Sequence, residues 1–337
     1  MTTFSPAFDL ARLSALAART ELIREVQSGL HSRPRSLKPW MFYDELGSRL
    51  FEQITTLPEY YPTRTERSLL ESHADAIVAS ACADSQPLRV LELGAGTASK
   101  TSLLLAAAAR RQIDVIYMPL DVSADALDIA CQGIGSAFPR VLVQPVVVNY
   151  VDSPPTLEQF DGSTLVLYLG SSIGNFMPPE SRTILRNVGS QLRSGDALVL
   201  GTDLVKDAST LIAAYDDKEG VTAAFNLNVL NRLNDELGAD FDPAGFRHCA
   251  RWNSIESRIE MHLESIREQS VQIPTAELEL HFRNGETIHT ENSYKFTDGT
   301  LGTLLSDSGF EVENTWKDER NWYALTLSRR HELDECD

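Results

Sequence analysis

Hydrophobic and polar positions change rhythm twice along this chain. From Phe8 to Leu30 apolar residues recur at helical spacing, which predicts an amphipathic helix. His31 to Pro39 carries Pro34 and Pro39 and predicts a connector, and Trp40 to Leu57 is helical again with a break expected near Gly47. Prolines restrict the backbone of Pro58-Glu59-Tyr60-Tyr61-Pro62-Thr63-Arg64-Thr65-Glu66, after which Glu66 to Ala81 resumes a helix. Short apolar runs then appear at Leu88 to Leu93, Val115 to Leu120, Val141 to Val148, Thr164 to Leu169 and Ala197 to Leu200, with helical stretches between most of them. Such runs fit strands buried on both faces, and their alternation with helices predicts a parallel, doubly wound α/β sheet with right-handed crossovers.

Between Lys206 and Ser293 the pattern departs from that unit. A helical stretch spans Thr210 to Leu237, and alternation at Arg258 to Ile266 and Leu278 to Phe282 predicts strands of a second, α+β domain. Lys295 to Gly309 predicts one more helix, and Trp322 to Leu327 a closing strand. The expected division is 1–60 as the N-terminal part of the second domain, 61–205 as the sheet core, 206–293 as an insertion, and 294–337 as a return segment completing the core. No internal repeat or low-complexity tract interrupts it.

With 337 residues and 42% hydrophobic content, the chain can fill one large core or two modest ones. A formal charge of −18 repels a phosphate backbone, and no Lys/Arg stripe gathers phosphate contacts, so nucleic acid is not an expected partner. Met1 to Leu10 lacks the layout of a signal peptide, and no apolar run reaches the roughly 18 residues of a membrane span. The expectation is a cytoplasmic monomer without a membrane partner. Cys82, Cys131, Cys249 and Cys336 are far apart and read as free thiols in a reducing compartment. His31, His73, His248, His262, His281, His289 and His331 form no HExxH or close ligand run, so they read as surface or structural residues and no metal is expected. Trp252, Trp316 and Trp322 read as packing residues.

Candidate chemistry begins at Val90-Leu91-Glu92-Leu93-Gly94-Ala95-Gly96-Thr97-Ala98-Ser99-Lys100-Thr101, a buried strand running through a glycine turn into a helix. Gly94 and Gly96 permit torsions and a close backbone approach that a Cβ obstructs. A dinucleotide site asks for a third glycine where Ser99 stands, and a phosphate-cradling loop asks for glycine immediately before Lys100, again Ser99. S-adenosylmethionine carries a sulfonium and no diphosphate, so an open glycine turn with a nearby acid suffices; a plain turn remains the alternative. Asp121 ends the next strand, where a carboxylate can accept both ribose hydroxyls, or can cap a helix from Ser123 to Ala130. Asn149 and Tyr150 at the third strand end can reach an adenine or form an ordinary turn. After the fourth strand, Asn175 in Gly170-Ser171-Ser172-Ile173-Gly174-Asn175-Phe176 suits an amino acid ligand or a turn. Asp203 and Lys206 after the fifth strand read as a capped helix start.

The chain resembles the histidine-specific N-alpha-methyltransferases that make hercynine on the path to ergothioneine. Trp40-Met41-Phe42-Tyr43-Asp44, Leu57 to Glu66, Leu91 to Thr101, Gly170 to Asn175, Gly201 to Asp207, Ala214-Tyr215-Asp216, Gly220 to Asn226, Arg258 to Met261 and Glu291 to Phe296 carry the likeness over nearly the full length. The resemblance implies a Rossmann-like class I methyltransferase sheet with a substrate-binding second domain, and S-adenosyl-L-methionine as methyl donor. It implies a donor site of Gly94, Lys100, Asp121, Asn149 and Tyr150, and an L-histidine site of Tyr60, Asn175, Tyr215, Met261, Glu291 and Ser293. Asn175 and Tyr215 then hold the α-carboxylate, Glu291 and Ser293 read the imidazole, and Tyr43 lies near the amine as the catalytic tyrosine. The family pattern has Asp-Phe where this chain has Asn149-Tyr150; Asn keeps a carbonyl acceptor for the adenine amine. Lys100 either neutralises the donor's carboxylate or is a solvated residue of the first helical turn, a position unfavourable to the helix dipole, which favours a nearby anionic partner of the two. Two other classes fit the same residues less well: a methyltransferase of another amino acid or aromatic amine, and a non-catalytic S-adenosylmethionine-binding regulator.

Overall fold

The computed structural model describes residues 6–82, 86–122, 124–150 and 156–331. Its helices are α1 Pro6–His31, α2 Glu45–Thr56, α3 Tyr61–Ala81, α4 Thr101–Arg110, α5 Ala124–Ala137, α6 Pro178–Gly189, α7 Ala208–Ala213, α8 Val221–Leu237 and α9 Asp298–Asp307. Its strands are β1 Arg35–Ser36, β2 Leu88–Leu93, β3 Val115–Asp121, β4 Leu142–Val143, β5 Val146–Val147, β6 Ser163–Tyr168 and β7 Ala197–Asp203. They continue with β8 Phe246–Asn253, β9 Arg258–Ser265, β10 Gln269–Ile273, β11 Leu278–Phe282, β12 Thr287–Tyr294, β13 Phe310–Lys317 and β14 Tyr323–Arg330. Two compact units result: one comprises Met1–Glu59, Leu211–Trp252 and Ile259–Glu291, the other Tyr60–Thr210, Asn253–Arg258 and Asn292–Asp337. Cys336 lies outside the described residues.

The second of these is built on the sheet β13-β14-β7-β6-β2-β3-β4, with β5 also pairing β3. Strands β2, β3, β4, β6 and β7 are parallel, while β14 runs antiparallel to both β7 and β13. From β2 the chain winds out to β3 and β4, then returns to β6 on the other side of β2. The order therefore reverses between β2 and β6, and the crevice at the carboxyl ends of those strands is where such sheets bind ligands. Residues of β2 face both ways: Leu88 and Val90 pack with α3, α4 and α5, and Leu91 and Leu93 with α6 and α9. This is the double burial that makes the strand an uninterrupted apolar run.

The single strand expected at Val141 to Val148 is interrupted. Leu142 and Val143 pair with Ile116 and Tyr117, and Val146 and Val147 with Leu120 and Asp121, in one register. Pro145 has no N–H for the ladder, which accounts for the gap.

The other unit contains α1, α2, α8, the sheet order β1-β12-β9-β8 and the hairpin β10-β11. The break expected at Gly47 falls instead at Tyr43 and Asp44; Asp44 caps α2 by accepting from Gly47 N at 2.6 Å. Gly47 is there for closeness, since a Cβ would stand 1.7 Å from Phe42 O. The helix expected from Thr210 to Leu237 is two helices, α7 and α8, separated by a loop that holds Tyr215 and ends at Gly220 with φ +75°.

Candidate functional site

At the carboxyl end of β2, Gly94 and Gly96 take φ of +66° and +51°. Gly94 N and Ala95 N both donate to Leu120 O, at 2.8 and 3.0 Å, pinning the turn to β3. Asp121, the last residue of β3, accepts from Gly96 N through Oδ2 at 2.9 Å. The acid and the turn singled out in the sequence are thus bonded to each other; the Ser123 start of the alternative helix cap lies outside the described residues. A Cβ on Gly94 would stand 3.1 Å from the Tyr150 hydroxyl, whereas one on Gly96 would meet nothing within 4 Å. The backbone at Gly96 therefore borders open space beside a carboxylate, a cradle a side chain would fill. Tyr150, directly after Asn149, sets its ring edge-on to Tyr168 at 5.9 Å, and burial pushes its phenol up to about 12. It is a neutral donor at physiological pH.

Lys100 is not a solvated helix-start residue. Its ammonium contacts Glu66 of α3, whose side chain is wholly buried. Glu66 also accepts from Gly170 N at 2.8 Å and from the Tyr323 hydroxyl at 2.7 Å. The anion that the helix dipole called for is a protein carboxylate 34 residues upstream, and it ties α3, the start of α4, the loop after β6 and the start of β14 together. Beneath the glycine turn, burial pushes Glu92 up to about 7, and the Tyr117 hydroxyl donates to it.

After β6, Gly170 and Ser171 are both left-handed, at φ +76° and +58°, and lead into the short helical turn that ends at Asn175. Ser171 Oγ accepts from Asp203 N at 2.9 Å. Asp203 and Lys206 do not start a helix: α7 begins at Ala208, and Asp207 caps it through Ser209 N at 3.0 Å. Asp203 lies buried at the end of β7, where its carboxylate accepts from Tyr61 at 2.8 Å and pairs with Lys206 and with Lys295, the latter at 2.9 Å. Burial pushes Lys206 down to about 8 against the pull of Asp203. Lys295 also donates to Ser293 Oγ at 2.8 Å. An ammonium has only donors, so the serine oxygen is the acceptor there and its own hydrogen points elsewhere. Tyr60 stands buried at the N-cap of α3.

The remaining four candidates belong to the other unit. Tyr43 is held by ring edges from Phe51 and Phe225 at 5.7 and 5.8 Å. Tyr215 is buried, its N donating to Ile212 O at 2.9 Å. Met261 on β9 is buried, and its carbonyl accepts from Thr290 Oγ1 at 3.0 Å. Glu291 and Ser293 are two apart on β12, so they share a strand face. Nothing in the spacing of Glu66, Tyr61 or Lys295 marks them as site residues; each sits inside a stretch that carries the family likeness, and that is the signal that points to them.

The sequence profile of the histidine-specific, S-adenosylmethionine-dependent methyltransferases matches residues 22–330. The chain belongs to this family. It is 42% identical to the histidine N-alpha-methyltransferase of Mycolicibacterium smegmatis over 94% of this chain and 98% of that protein. The histidine N-alpha-methyltransferase of Mycobacterium tuberculosis is also 42% identical, over 93% and 96% of the two chains. A 4-dimethylallyltryptophan N-methyltransferase of Claviceps fusiformis is 25% identical over 93% of each. As a member of a donor-dependent methyltransferase family, the chain takes its methyl group from S-adenosylmethionine, and the open turn at Gly96 with its adjacent acid fits that group.

Proposed function

We propose that this protein methylates the α-amine of L-histidine three times, forming hercynine, N,N,N-trimethyl-L-histidine, for ergothioneine synthesis. One observation carries the reading: a glycine turn with open space at Gly96, bonded to the carboxylate of Asp121, sits at the strand ends where the sheet order reverses. When bound, S-adenosylmethionine supplies an electrophilic methyl on a sulfonium. Gly94 and Gly96 let its amino acid portion lie against the main chain, Asp121 accepts from the ribose, Asn149 and Tyr150 face the adenine, and Lys100 answers the carboxylate. The Glu66 contact directs that ammonium.

On the substrate side, Asn175 and Tyr215 are assigned to the carboxylate, Glu291 and Ser293 to the two ring nitrogens, and Tyr60 and Met261 to the rest of the substrate. In this proposal Ser293 donates to one imidazole nitrogen and Glu291 accepts from the ring N–H; the Lys295 contact takes one lone pair of the Ser293 oxygen and does not use its hydrogen. Before each transfer the ammonium form of the amine gives up one proton, and the freed lone pair forms the new N–C bond as the C–S bond breaks and S-adenosylhomocysteine leaves. The amine must therefore be neutral. Tyr43 orients that amine or passes on its proton; the reaction needs no strong base there. The protein's main contribution is alignment and exclusion of water, worth several kcal/mol when the reacting atoms sit at about 3 Å. Met261, unbranched and adaptable, leaves room for the methylated intermediates.

In this reading residues 206–293, with 1–60, are the substrate-binding domain, and 294–337 complete the methyltransferase core. The protein acts as a cytoplasmic monomer without metal, nucleic acid or membrane. No helix among the described residues is long and apolar enough to cross a membrane. Mass spectrometry of histidine incubated with donor tests the proposal: mono-, di- and trimethylated histidine are expected. The relative named for a tryptophan derivative motivates a panel of other amino acids; methylation of one of these but not of histidine overturns the substrate. Donor binding by calorimetry with no methylated product from any amine supports the regulatory reading instead. An unchanged rate in a metal chelator is the expected result for metal independence.

A further inference from the structure

His248 lies on β8 and belongs to the same unit as Tyr215. Its Nε2 is 2.8 Å from the main-chain carbonyl of Tyr215, and its Nδ1 is 2.8 Å from Asn226 Nδ2 on α8. A carbonyl can only accept, so Nε2 carries the hydrogen. Nδ1 of the neutral ring is then an acceptor, filled by the Asn226 amide. That amide also donates to His262 O on β9 at 3.1 Å, which fixes its orientation independently of the histidine. The relay is thus anchored at both ends by main-chain carbonyls, and its direction follows from them. Asn226 is fully buried. Burial pushes the His248 pKa below its ordinary value, outweighing the Tyr215 carbonyl and the charges of Asp216 and Asp217, and so keeps the ring in the neutral form.

What the relay holds is specific. Tyr215 sits in the loop between α7 and α8, outside regular secondary structure. The far end of that loop is secured by Asp217, which accepts from Val221 N and Thr222 N at 3.0 and 2.7 Å. At the near end, the Tyr215 peptide is held through its N by Ile212 and through its carbonyl by His248. Fixing the carbonyl of a residue fixes the direction of its Cα–Cβ bond.

We infer that His248, backed by Asn226, is a positioning residue that aims Tyr215 at the carboxylate of the amino acid substrate. The inference rests on the proposed role of Tyr215. Neither residue touches the reacting atoms in this arrangement, so the effect is on substrate binding and not on the transfer step. His248→Leu removes both bonds; His248→Asn keeps an amide but is too short to span both partners. His248→Gln supplies a carbonyl toward Asn226 and an N–H toward Tyr215, and so restores both.

The test is steady-state kinetics with histidine at saturating donor, together with donor affinity by calorimetry. The Leu and Asn variants are expected to raise KM for histidine roughly tenfold, the consequence of one lost hydrogen bond, with kcat and donor affinity unchanged. The Gln variant is expected to return KM close to wild type. If the Leu variant does not fold, the Asn and Gln pair gives the same comparison. Tyr215→Phe serves as the control. If it raises KM while the Leu and Asn variants do not, the positioning role is overturned and the role of Tyr215 stands. If it leaves KM unchanged, the carboxylate role of Tyr215 is overturned, and the positioning inference with it. A Leu or Asn variant that lowers kcat and donor affinity along with substrate affinity, or a Gln variant that fails to restore KM, also overturns positioning.

Discussion

Replacing Glu92 by glutamine is expected to stabilise the protein, and to do so more as the pH rises. Glu92 is 3% exposed in the middle of the sheet, and burial is the largest influence on it, raising its pKa from 4.5 to about 7. Tyr117 and Thr101 beside the carboxyl, and the charge of Lys100, oppose that rise; Glu66 adds to it. A carboxyl raised in the folded state is at no disadvantage below its unfolded value and becomes a growing burden as pH climbs through its folded value. At about 1.4 kcal/mol per tenfold, the burden at complete ionisation is about 3 kcal/mol, and near pH 5.5 it is about 1 kcal/mol. Glutamine cannot ionise, keeps a carbonyl for the Tyr117 hydroxyl, and presents its amide beside Thr101. The advantage of Glu92→Gln over wild type, from urea denaturation followed by circular dichroism, is therefore expected to grow by about 2 kcal/mol between pH 5.5 and pH 8.5. A difference that stays flat across this range, or shrinks as pH rises, would refute the reasoning; so would a variant less stable than wild type at pH 8.5.

Three further expectations concern the site. Gly96→Ala places a methyl where the structure has open space at φ +51°, so it should cost about 1–2 kcal/mol of stability through strain yet weaken donor binding roughly tenfold or more by filling the cradle; unchanged affinity by calorimetry counts against that location. Tyr43→Phe keeps the ring contacts with Phe51 and Phe225 and should lower kcat roughly tenfold, and a rate within about twofold of wild type removes the hydroxyl from the mechanism. Glu291→Ala should raise KM for histidine roughly ten- to a hundredfold, the value of a charge-assisted bond, with donor affinity nearly intact; an unchanged KM in the methyl-transfer assay defeats its imidazole role.

The central strands were legible because they are buried on both faces. All six residues of Leu88–Leu93 are buried, and all seven of β7, so hydrophobicity alone marks them. Edge strand β13, Phe-Glu-Val-Glu-Asn-Thr-Trp-Lys, carries polar side chains at most positions, with four consecutive residues exposed, and gave no such mark. Strand β8 was lost for the same reason: only Phe246 is buried in a run containing Arg247, His248 and Arg251. The break between α7 and α8 was hidden because Leu211, Ala214 and Tyr215 are buried like helical core positions. Their loop is held by the His248 bond to the Tyr215 carbonyl and by Asp217, which accepts from Val221 N and Thr222 N, contacts that apolar periodicity does not register.

The same limit explains what was and was not readable in the site. Gly94, Gly96 and Asp121 follow successive strands, and a doubly wound sheet puts successive strand ends side by side, so their proximity follows from topology. Ion-pair partners do not follow from topology at that resolution. Lys100 presented itself as a cation in want of an anion, yet Glu66 reaches it from another helix, and Lys295 reaches Asp203 from a distant segment of the chain. Asp203 is the more consequential case. One carboxylate at the end of β7 is paired with two buried ammonium groups, and one of these turns the oxygen of Ser293 into an acceptor. An uncompensated charge at that depth costs several kcal/mol, so the three groups depend on one another. The Lys295 contact takes one lone pair of the Ser293 oxygen, so a lysine and an aspartate constrain how that hydroxyl can turn, and under the role proposed for Ser293 they constrain its approach to the substrate ring as well.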